Sequence, residues 1–190
     1  MPLPKPEQKY SYADYLTWDE NGRWEIIDGM PYMQAAPSRE HQEISGELYL
    51  QFGSYLRGKP CKIYHAPFCV RLDMEMNDYD IKNVVEPDLT IICDKSKLDE
   101  RGCKGSPDMI VEILSPSTGK KDRIDKFNKY EKAGVKVYWI VEPDQKIVSV
   151  FSMQSNGRYG RPEMYTEEDK IKVSIFPDLE IDLGSVFAKI

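Results

Sequence analysis

The chain has 190 residues, of which 41% are hydrophobic and 31% are charged, and its formal net charge is −6. This size suits one domain over residues 1–190, and the composition is that of a globular protein rather than a disordered one. The first nine residues are polar and proline-rich, and no apolar run is long enough for a signal peptide or a membrane span. We therefore expect a cytoplasmic protein with a flexible tail at residues 1–9.

Charge is unevenly distributed along the chain. Residues 120–136 contain seven Lys or Arg against three Asp or Glu, a local charge of +4 that leaves −10 for the rest. The acidic total argues mildly against a dedicated nucleic-acid binder. The basic segment is typical of a solvated helix, although it would also suit a basic rim beside a phosphodiester site.

The N-terminal half is predicted to contain two helices, a hairpin and two strands. Asp28-Gly29 lies between apolar runs and favours a tight hairpin turn. Ser38 is a good N-cap, and the apolar residues after it recur at helical spacing. The predicted elements are a short helix over 11–18, hairpin strands over 24–27 and 30–34, a helix over 39–57, and strands near 61–73 and 84–93.

The C-terminal half is predicted to alternate strand, helix and strand. A loop over 94–106 precedes a strand over 109–114, a basic helix over 119–133, strands over 136–142 and 146–152, and short strands that end over 179–183. The strand–helix–strand unit predicts a parallel crossover, and the hairpins predict antiparallel neighbours. An α/β fold with a mixed sheet and helices on its faces fits best.

Four cysteines stand at positions 61, 69, 93 and 103. Their spacing contains no C-x-x-C pair, so a structural zinc site is not expected. Cys93 ends an apolar run, where a thiol is usually a small buried hydrophobic group. The sequence therefore predicts reduced, structural cysteines.

Glu112 is the one charged residue of an otherwise apolar strand, Met109-Ile-Val-Glu-Ile-Leu114. Side chains of a strand alternate between its two faces, and apart from Glu112 both faces of this strand are apolar, which indicates burial on both sides. A buried carboxylate is costly unless it is paired or coordinates a metal. Glu112 is therefore either a metal ligand or a glutamate satisfied by a lysine or by main-chain donors.

Asp88 is the best partner for Glu112 among four Pro-Asp dipeptides. Asp108 shares a strand face with Glu112, but four residues of strand separate them by about 13 Å, too far for ligands about 2.0–2.6 Å from one ion. Asp144 lies in a predicted turn, and Asp178 lies in a loop far along the chain. Asp88 opens the strand before Glu112, and neighbouring strands are about 4.8 Å apart.

The ordered set of motifs resembles the Uma-two family of restriction-endonuclease-like proteins, within the PD-(D/E)XK nuclease superfamily. The resemblance runs from about residue 11 to 187. Its motifs are Glu25 before the Asp-Gly turn, Pro-Ser-x-x-His41, Glu-Pro-Asp88-Leu, Val-Glu112-Ile-Leu-Ser-Pro-Ser, Asp122-x-x-x-Lys126-x-x-x-Tyr130, Gly134-Val and Tyr138-Trp139.

The resemblance implies a restriction-endonuclease-like, three-layer α/β/α core with a mixed sheet and an N-terminal helix plus hairpin. It also implies a Mg²⁺-dependent (or Mn²⁺-dependent) endonuclease that hydrolyses phosphodiester bonds in nucleic acid, with DNA as the expected substrate. Asp88 and Glu112 would be the metal ligands, and the Ile113 carbonyl would be a third. Leu114 stands where the superfamily signature has lysine, and Lys126 on the next helix would replace it.

Three of the implied catalytic residues also have ordinary structural interpretations. Lys126 lies on one helix face with Asp122 and Tyr130, so it could form a helix salt bridge instead of facing Glu112. Glu25 would assist catalysis or be an exposed edge carboxylate. His41 would assist catalysis or be a satisfied core histidine. His65, which matches no motif, is interpreted as structural.

Two rival functions stay open. The net charge and the missing strand lysine favour a nucleic-acid-binding or partner-binding protein that kept a nuclease fold without useful catalysis. A purely structural oligomer is the third reading. A homodimer would allow both strands of a duplex to be cut, although no residue in the sequence indicates one.

Overall fold

The structure is a computed structural model that describes residues 4, 5, 7–18, 22–74, 77–115 and 121–188, with the side chains of residues 121 and 122 outside the description. Residues 1–3 and 6 of the expected tail and residues 119 and 120 of the predicted basic helix therefore lie outside the described residues. The helices are α1 (Tyr12–Tyr15), α2 (Arg39–Leu56), α3 (Phe127–Ala133) and α4 (Leu183–Phe187), with a 3₁₀ turn at Lys95–Lys97 and a π-helical segment at Lys121–Lys126 that leads into α3. The strands are β1 (Trp24–Ile27), β2 (Met30–Met33), β3 (Lys62–His65), β4 (Val70–Arg71), β5 (Val84–Val85), β6 (Leu89–Ile92), β7 (Leu98–Asp99), β8 (Gly102–Lys104), β9 (Met109–Ile113), β10 (Val137–Glu142), β11 (Ile147–Ser152), β12 (Glu163–Thr166), β13 (Lys170–Lys172) and β14 (Glu180–Asp182).

The core sheet is mixed and carries the crossover that the sequence predicts. Its strand order is β12-β11-β10-β9-β6-β3. Strands β9 and β10 pair in parallel, and the other neighbours pair antiparallel. The segment between β9 and β10 contains the π-helical turn and α3, which makes a strand–helix–strand unit. The predicted α/β class with a mixed sheet is confirmed.

Both faces of the core sheet are covered. Met109, Val111 and Ile113 of β9 pack in one apolar cluster with residues of α2 and α4. Ile110, on the other face of β9, packs in a second cluster with Tyr130 of α3 and with residues of a second sheet. Burial of β9 on both sides, predicted from its two apolar faces, is confirmed, and Glu112 is 3% exposed.

The second sheet grows from the predicted N-terminal hairpin and has the order β2-β1-β5-β4-β8-β7. Asp28 and Gly29 both have positive φ, 52° and 81°, as the two central residues of a tight hairpin turn require. Two predicted strands, near 61–73 and 84–93, are each divided between the two sheets. Pro67 and Pro87 lie in the two interruptions, and proline cannot donate to a strand ladder. Strands β7 and β8 within the expected loop, and helix α4, were not predicted.

The prediction of reduced cysteines is wrong for two of the four. Cys61 and Cys93 form a disulfide, while Cys69 and Cys103 are free. The reason is strand register: Lys62 pairs with Ile92 in the antiparallel β3–β6 ladder, so residues 61 and 93 stand opposite each other. Sequence spacing does not show this pairing, because it is set by the sheet.

The described helices include none that is both long and apolar enough to cross a membrane.

Candidate functional site

A cavity of about 450 Å³ opens where β6 and β9 meet the start of α2. Its walls also include the segment 34–38 after β2 and the turn 143–145 between β10 and β11. Five of the six predicted site residues line it: His41, Asp88, Glu112, Ile113 and Lys126. Glu25 does not line the cavity but contacts Lys126, which does.

Asp88 faces Glu112 across the β6–β9 ladder. Leu89 pairs with Val111 in antiparallel register, so the next pair outward is Asp88 with Glu112. Residues directly opposite in such a ladder project to the same face. Asp88 Oδ2 accepts a hydrogen bond from the Ile113 amide at 2.7 Å, which fixes the carboxylate beside β9.

Glu112 lies at the centre of a buried polar cluster. Its Oε1 atom accepts hydrogen bonds from Lys126 Nζ at 2.9 Å and from the Tyr130 hydroxyl at 2.5 Å. Burial of the Tyr130 ring, followed by the negative charge of Glu112, raises the pKa of the Tyr130 hydroxyl well above its usual value. Tyr130 therefore remains a neutral donor to the carboxylate.

Lys126 reaches the cluster from the π-helical segment. Its side chain is 3% exposed and lies 2.8 Å from Glu25 Oε1 as well as 2.9 Å from Glu112 Oε1. The expected contact with Glu112 is confirmed, and Tyr130 reaches the same oxygen from the next turn. The Asp122 side chain lies outside the described residues. π-Helical turns are rare and frequently occur at functional sites.

Glu25 is buried rather than an exposed edge carboxylate, so that structural interpretation is wrong. Its side chain is 0% exposed. Besides Lys126, Glu25 accepts hydrogen bonds from Gln34 Nε2 at 2.6 Å and from the Glu86 amide at 3.0 Å. The cause is the second sheet: β1 pairs on both of its edges, with β2 and with β5.

His41 projects from the first turn of α2 towards Asp88. Its Nε2 atom lies 3.1 Å from Asp88 Oδ2. Its Nδ1 atom is buried and has no hydrogen-bond partner among the residues that the structure describes. The side chain lines the cavity at 13% exposure, so it is not enclosed in the apolar core.

The other candidates have separate roles. Asp108 accepts hydrogen bonds from the Cys93 amide at 2.7 Å and from Lys136 at 2.6 Å, outside the cavity. Asp178 is exposed. His65 lines the cavity, with its Nδ1 atom 3.0 Å from the Ala66 carbonyl. Leu114, at the position of the signature lysine, packs against the apolar cluster around Ile110.

Sequence reasoning missed two ion pairs in the cavity wall. Arg123 pairs with Glu142, which ends β10. Arg23 Nε lies 3.0 Å from Glu86 Oε2, and the Tyr15 hydroxyl donates to the other oxygen of Glu86 at 3.3 Å. The basic segment 120–136 was a signal for Arg123. The sequence carries no comparable signal for Glu86, because its role depends on how β5 pairs with β1.

The donor set fits the divalent cation that the family resemblance implies. Asp88 and Glu112 offer carboxylate oxygens in one cavity, and Mg²⁺ commonly binds through one or two carboxylates while keeping several waters. Asp88, Glu112 and Glu25 carry three negative charges against the one positive charge of Lys126, which leaves a net charge of −2. Among the described residues no three His, Cys, Asp or Glu side chains are grouped to hold a metal by themselves.

Comparison with known proteins places the chain in a family. It is 32% identical over 127 residues to an uncharacterized protein of Synechocystis sp. (strain ATCC 27184 / PCC 6803 / Kazusa), and the match covers 66% of this chain and 64% of that protein. The chain thus spans just under two thirds of that relative's length. The crystal structure of a putative nuclease of DUF820 from Anabaena variabilis ATCC 29413 shares the fold, with a TM-score of 0.75, 18% identity, and coverage of 94% of this chain and 97% of that one. The Uma2 family, described as "Putative restriction endonuclease", matches residues 12–184, and the chain belongs to this family.

Proposed function

We propose that this protein is a metal-dependent nuclease that hydrolyses phosphodiester bonds in nucleic acid, with DNA as the substrate. One observation carries the proposal: Asp88 stands opposite Glu112 at a cavity, and Glu112 shares the buried ammonium of Lys126 with Glu25. An acidic pair can hold a metal ion that activates water, and a lysine beside it can stabilise the charge that develops on a phosphate, so this arrangement suits phosphodiester hydrolysis. The family description agrees with this activity.

Asp88 and Glu112 would hold the Mg²⁺ ion, with the Ile113 carbonyl as a further ligand. When bound, the ion would lower the pKa of a coordinated water and neutralise charge on the phosphate. The protein's own contribution is to hold these ligands in place. The Ile113 amide and His41 position Asp88, while Tyr130 and Lys126 position Glu112.

Lys126 has two functions in this proposal. Its ammonium offsets the cost of burying Glu25 and Glu112 together, because a buried carboxylate needs a compensating charge. It also stands beside the metal-binding carboxylate, where a positive charge would orient the attacking water and stabilise negative charge that develops on the phosphate. Glu25 is the residue that holds Lys126 in place from the opposite side.

The test is a cleavage assay with plasmid and single-stranded DNA, with Mg²⁺ or Mn²⁺ and with chelator. Wild type should cleave only with the metal, and Asp88→Asn and Glu112→Gln should lose at least about 100-fold of the rate. Asp178→Asn is the matched control, since it alters another Pro-Asp dipeptide at an exposed position. Equal background cleavage by wild type and Asp88→Asn would reject the proposal.

A second candidate is a nucleic-acid-binding protein that does not cleave. The apolar packing of Leu114, where the superfamily signature has lysine, favours it. This candidate predicts DNA binding in a gel-shift assay that survives Glu112→Gln, with no metal-dependent cleavage by wild type. A purely structural role predicts neither DNA binding nor a rise in melting temperature with Mg²⁺.

A further inference from the structure

The ion pair between Arg123 and Glu142 lies one step along the sheet from the acidic pair. Ile140 of β10 pairs with Glu112 of β9 in parallel register. Glu142 is two residues further along β10, on the same face and about 6.6 Å away along the strand. Arg123 belongs to the π-helical segment that carries Lys126, three residues before it. Both members of the pair line the cavity.

Arg123 is the most accessible of the cations among the described residues that line this cavity. Its side chain is 45% exposed, compared with 36% for Arg23 and 3% for Lys126. Lys126 is held between two buried carboxylates, and Arg23 is tied to Glu86, which is 8% exposed. Arg123 is therefore the cation of this lining that an incoming anion can reach most readily.

An accessible cation matters here because the charge of the cavity wall is negative. Six carboxylates and three Lys or Arg side chains are among the described residues that line it, which gives a net charge of −3 with both histidines neutral. A wall of this charge repels phosphate groups. A guanidinium binds phosphate through two parallel hydrogen bonds, so Arg is the residue best suited to recognise phosphate there.

We propose that Arg123 is a phosphate-binding residue of this site, and that Glu142 holds its guanidinium until a phosphate of the substrate strand replaces the carboxylate. The identity of that substrate as nucleic acid rests on the proposed function. Because the pair is partly exposed, its attraction is weak enough for a phosphate to compete. Glu142 therefore lowers the affinity of the site for an anion, because it competes with the anion for the Arg123 guanidinium.

The test measures binding rather than cleavage, so that it stands apart from the test of the proposed function. The full-length protein is titrated against a fluorescein-labelled single-stranded DNA, with chelator and at low ionic strength, and anisotropy is recorded. Arg123→Gln should raise the Kd about five-fold or more. Arg123→Lys should raise it less, because lysine keeps the positive charge although it cannot form the two parallel hydrogen bonds of a guanidinium. Glu142→Gln should lower the Kd.

Two comparisons separate this role from a general change of charge. Glu131→Gln is the matched control: Glu131 also pairs with an arginine, Arg158, and is 10% exposed against 11% for Glu142, but it lies outside the cavity. Glu142→Gln should tighten binding more than Glu131→Gln does, and this gain should vanish in the Arg123→Gln background. Equal effects of the two Glu→Gln variants, an unchanged Kd for Arg123→Gln, or no binding by wild type would each overturn the inference. Binding that follows the expected pattern without metal-dependent cleavage would reject the proposed function and leave the inference standing.

Discussion

Removing the ammonium of Lys126 should cost much of the stability of the protein. Lys126→Met keeps most of the length of the side chain but leaves the side chains of Glu25 and Glu112, which are 0% and 4% exposed, without the cation that they share. Breaking a buried ion pair by removing one partner costs about 3–5 kcal/mol. For a chain of this size, that loss lowers the melting temperature by about 6–20 °C.

Urea unfolding followed by tryptophan fluorescence measures this loss, since Trp139 is fully buried in the core. Lys129→Met is the control: Lys129 lies one turn further along and pairs with Asp28, which is 65% exposed. An exposed pair contributes less than about 1 kcal/mol.

The double variant Lys126→Met/Glu25→Gln provides the decisive comparison. It should recover part of the stability, because one of the two carboxylate charges is gone. Glu25→Gln alone should destabilise the protein, since it removes one partner of the same buried pair. If Lys126→Met costs no more than Lys129→Met, or if Glu25→Gln recovers nothing in the Lys126→Met background, the assignment of a shared buried charge is wrong.

Three further predictions concern Tyr130, the Cys61–Cys93 disulfide and Asp108. The pKa of Tyr130 is raised by folding, so its contribution to stability is complete below about pH 10, its usual pKa, and is lost as the pH rises above that value. Tyr130→Phe, which also removes the hydrogen bond to Glu112, should make the loss of unfolding free energy above pH 10 shallower by up to about 1.4 kcal/mol per pH unit, measured by urea titrations at several pH values. Reduction of the Cys61–Cys93 disulfide, which closes a loop with a sequence separation of 32 residues, should lower the unfolding free energy by about 3–4 kcal/mol, as seen in urea titrations with and without a phosphine reductant. Asp108→Asn should cost about 1–3 kcal/mol in the same titration while leaving metal-dependent cleavage at the wild-type rate.

The parts of the site that follow from local periodicity could be predicted. Glu112 was identified because a single charge interrupts an apolar strand, and Lys126 and Tyr130 were placed together because four residues separate them on a helix. Adjacent strands then made Asp88 the best partner, and the register agrees. These inferences need only the repeat of one element or the spacing of two neighbouring strands, whereas the assignment of Lys126 to the site rests on the family resemblance.

The parts that depend on how distant strands pair could not be predicted in the same way. Glu25 is buried because β1 is an inner strand of the second sheet, which depends on its pairing with β5 some sixty residues along the chain. The Cys61–Cys93 disulfide likewise depends on the pairing of β3 with β6, two strands that are distant in the sequence. From the hairpin sequence alone, Glu25 is expected on an exposed edge strand. From its apolar neighbours alone, Cys93 is expected to be a small buried thiol.

The departure from the superfamily signature has a structural counterpart in this chain. Leu114 lies two residues after Glu112 and so projects to the same face of β9, but it packs among apolar neighbours. The ammonium reaches Glu112 from the helix instead, and the helix position also brings it within 2.8 Å of Glu25 on the second sheet. A lysine at position 114 would lie on the same strand as Glu112. Lys126 lies on the crossover helix instead, and its Nζ atom contacts Glu112 of the core sheet and Glu25 of the second sheet. The stability of this junction and the charge of the proposed metal site therefore depend on the same side chain, and a variant of Lys126 has to be tested for folding before any loss of cleavage is attributed to catalysis.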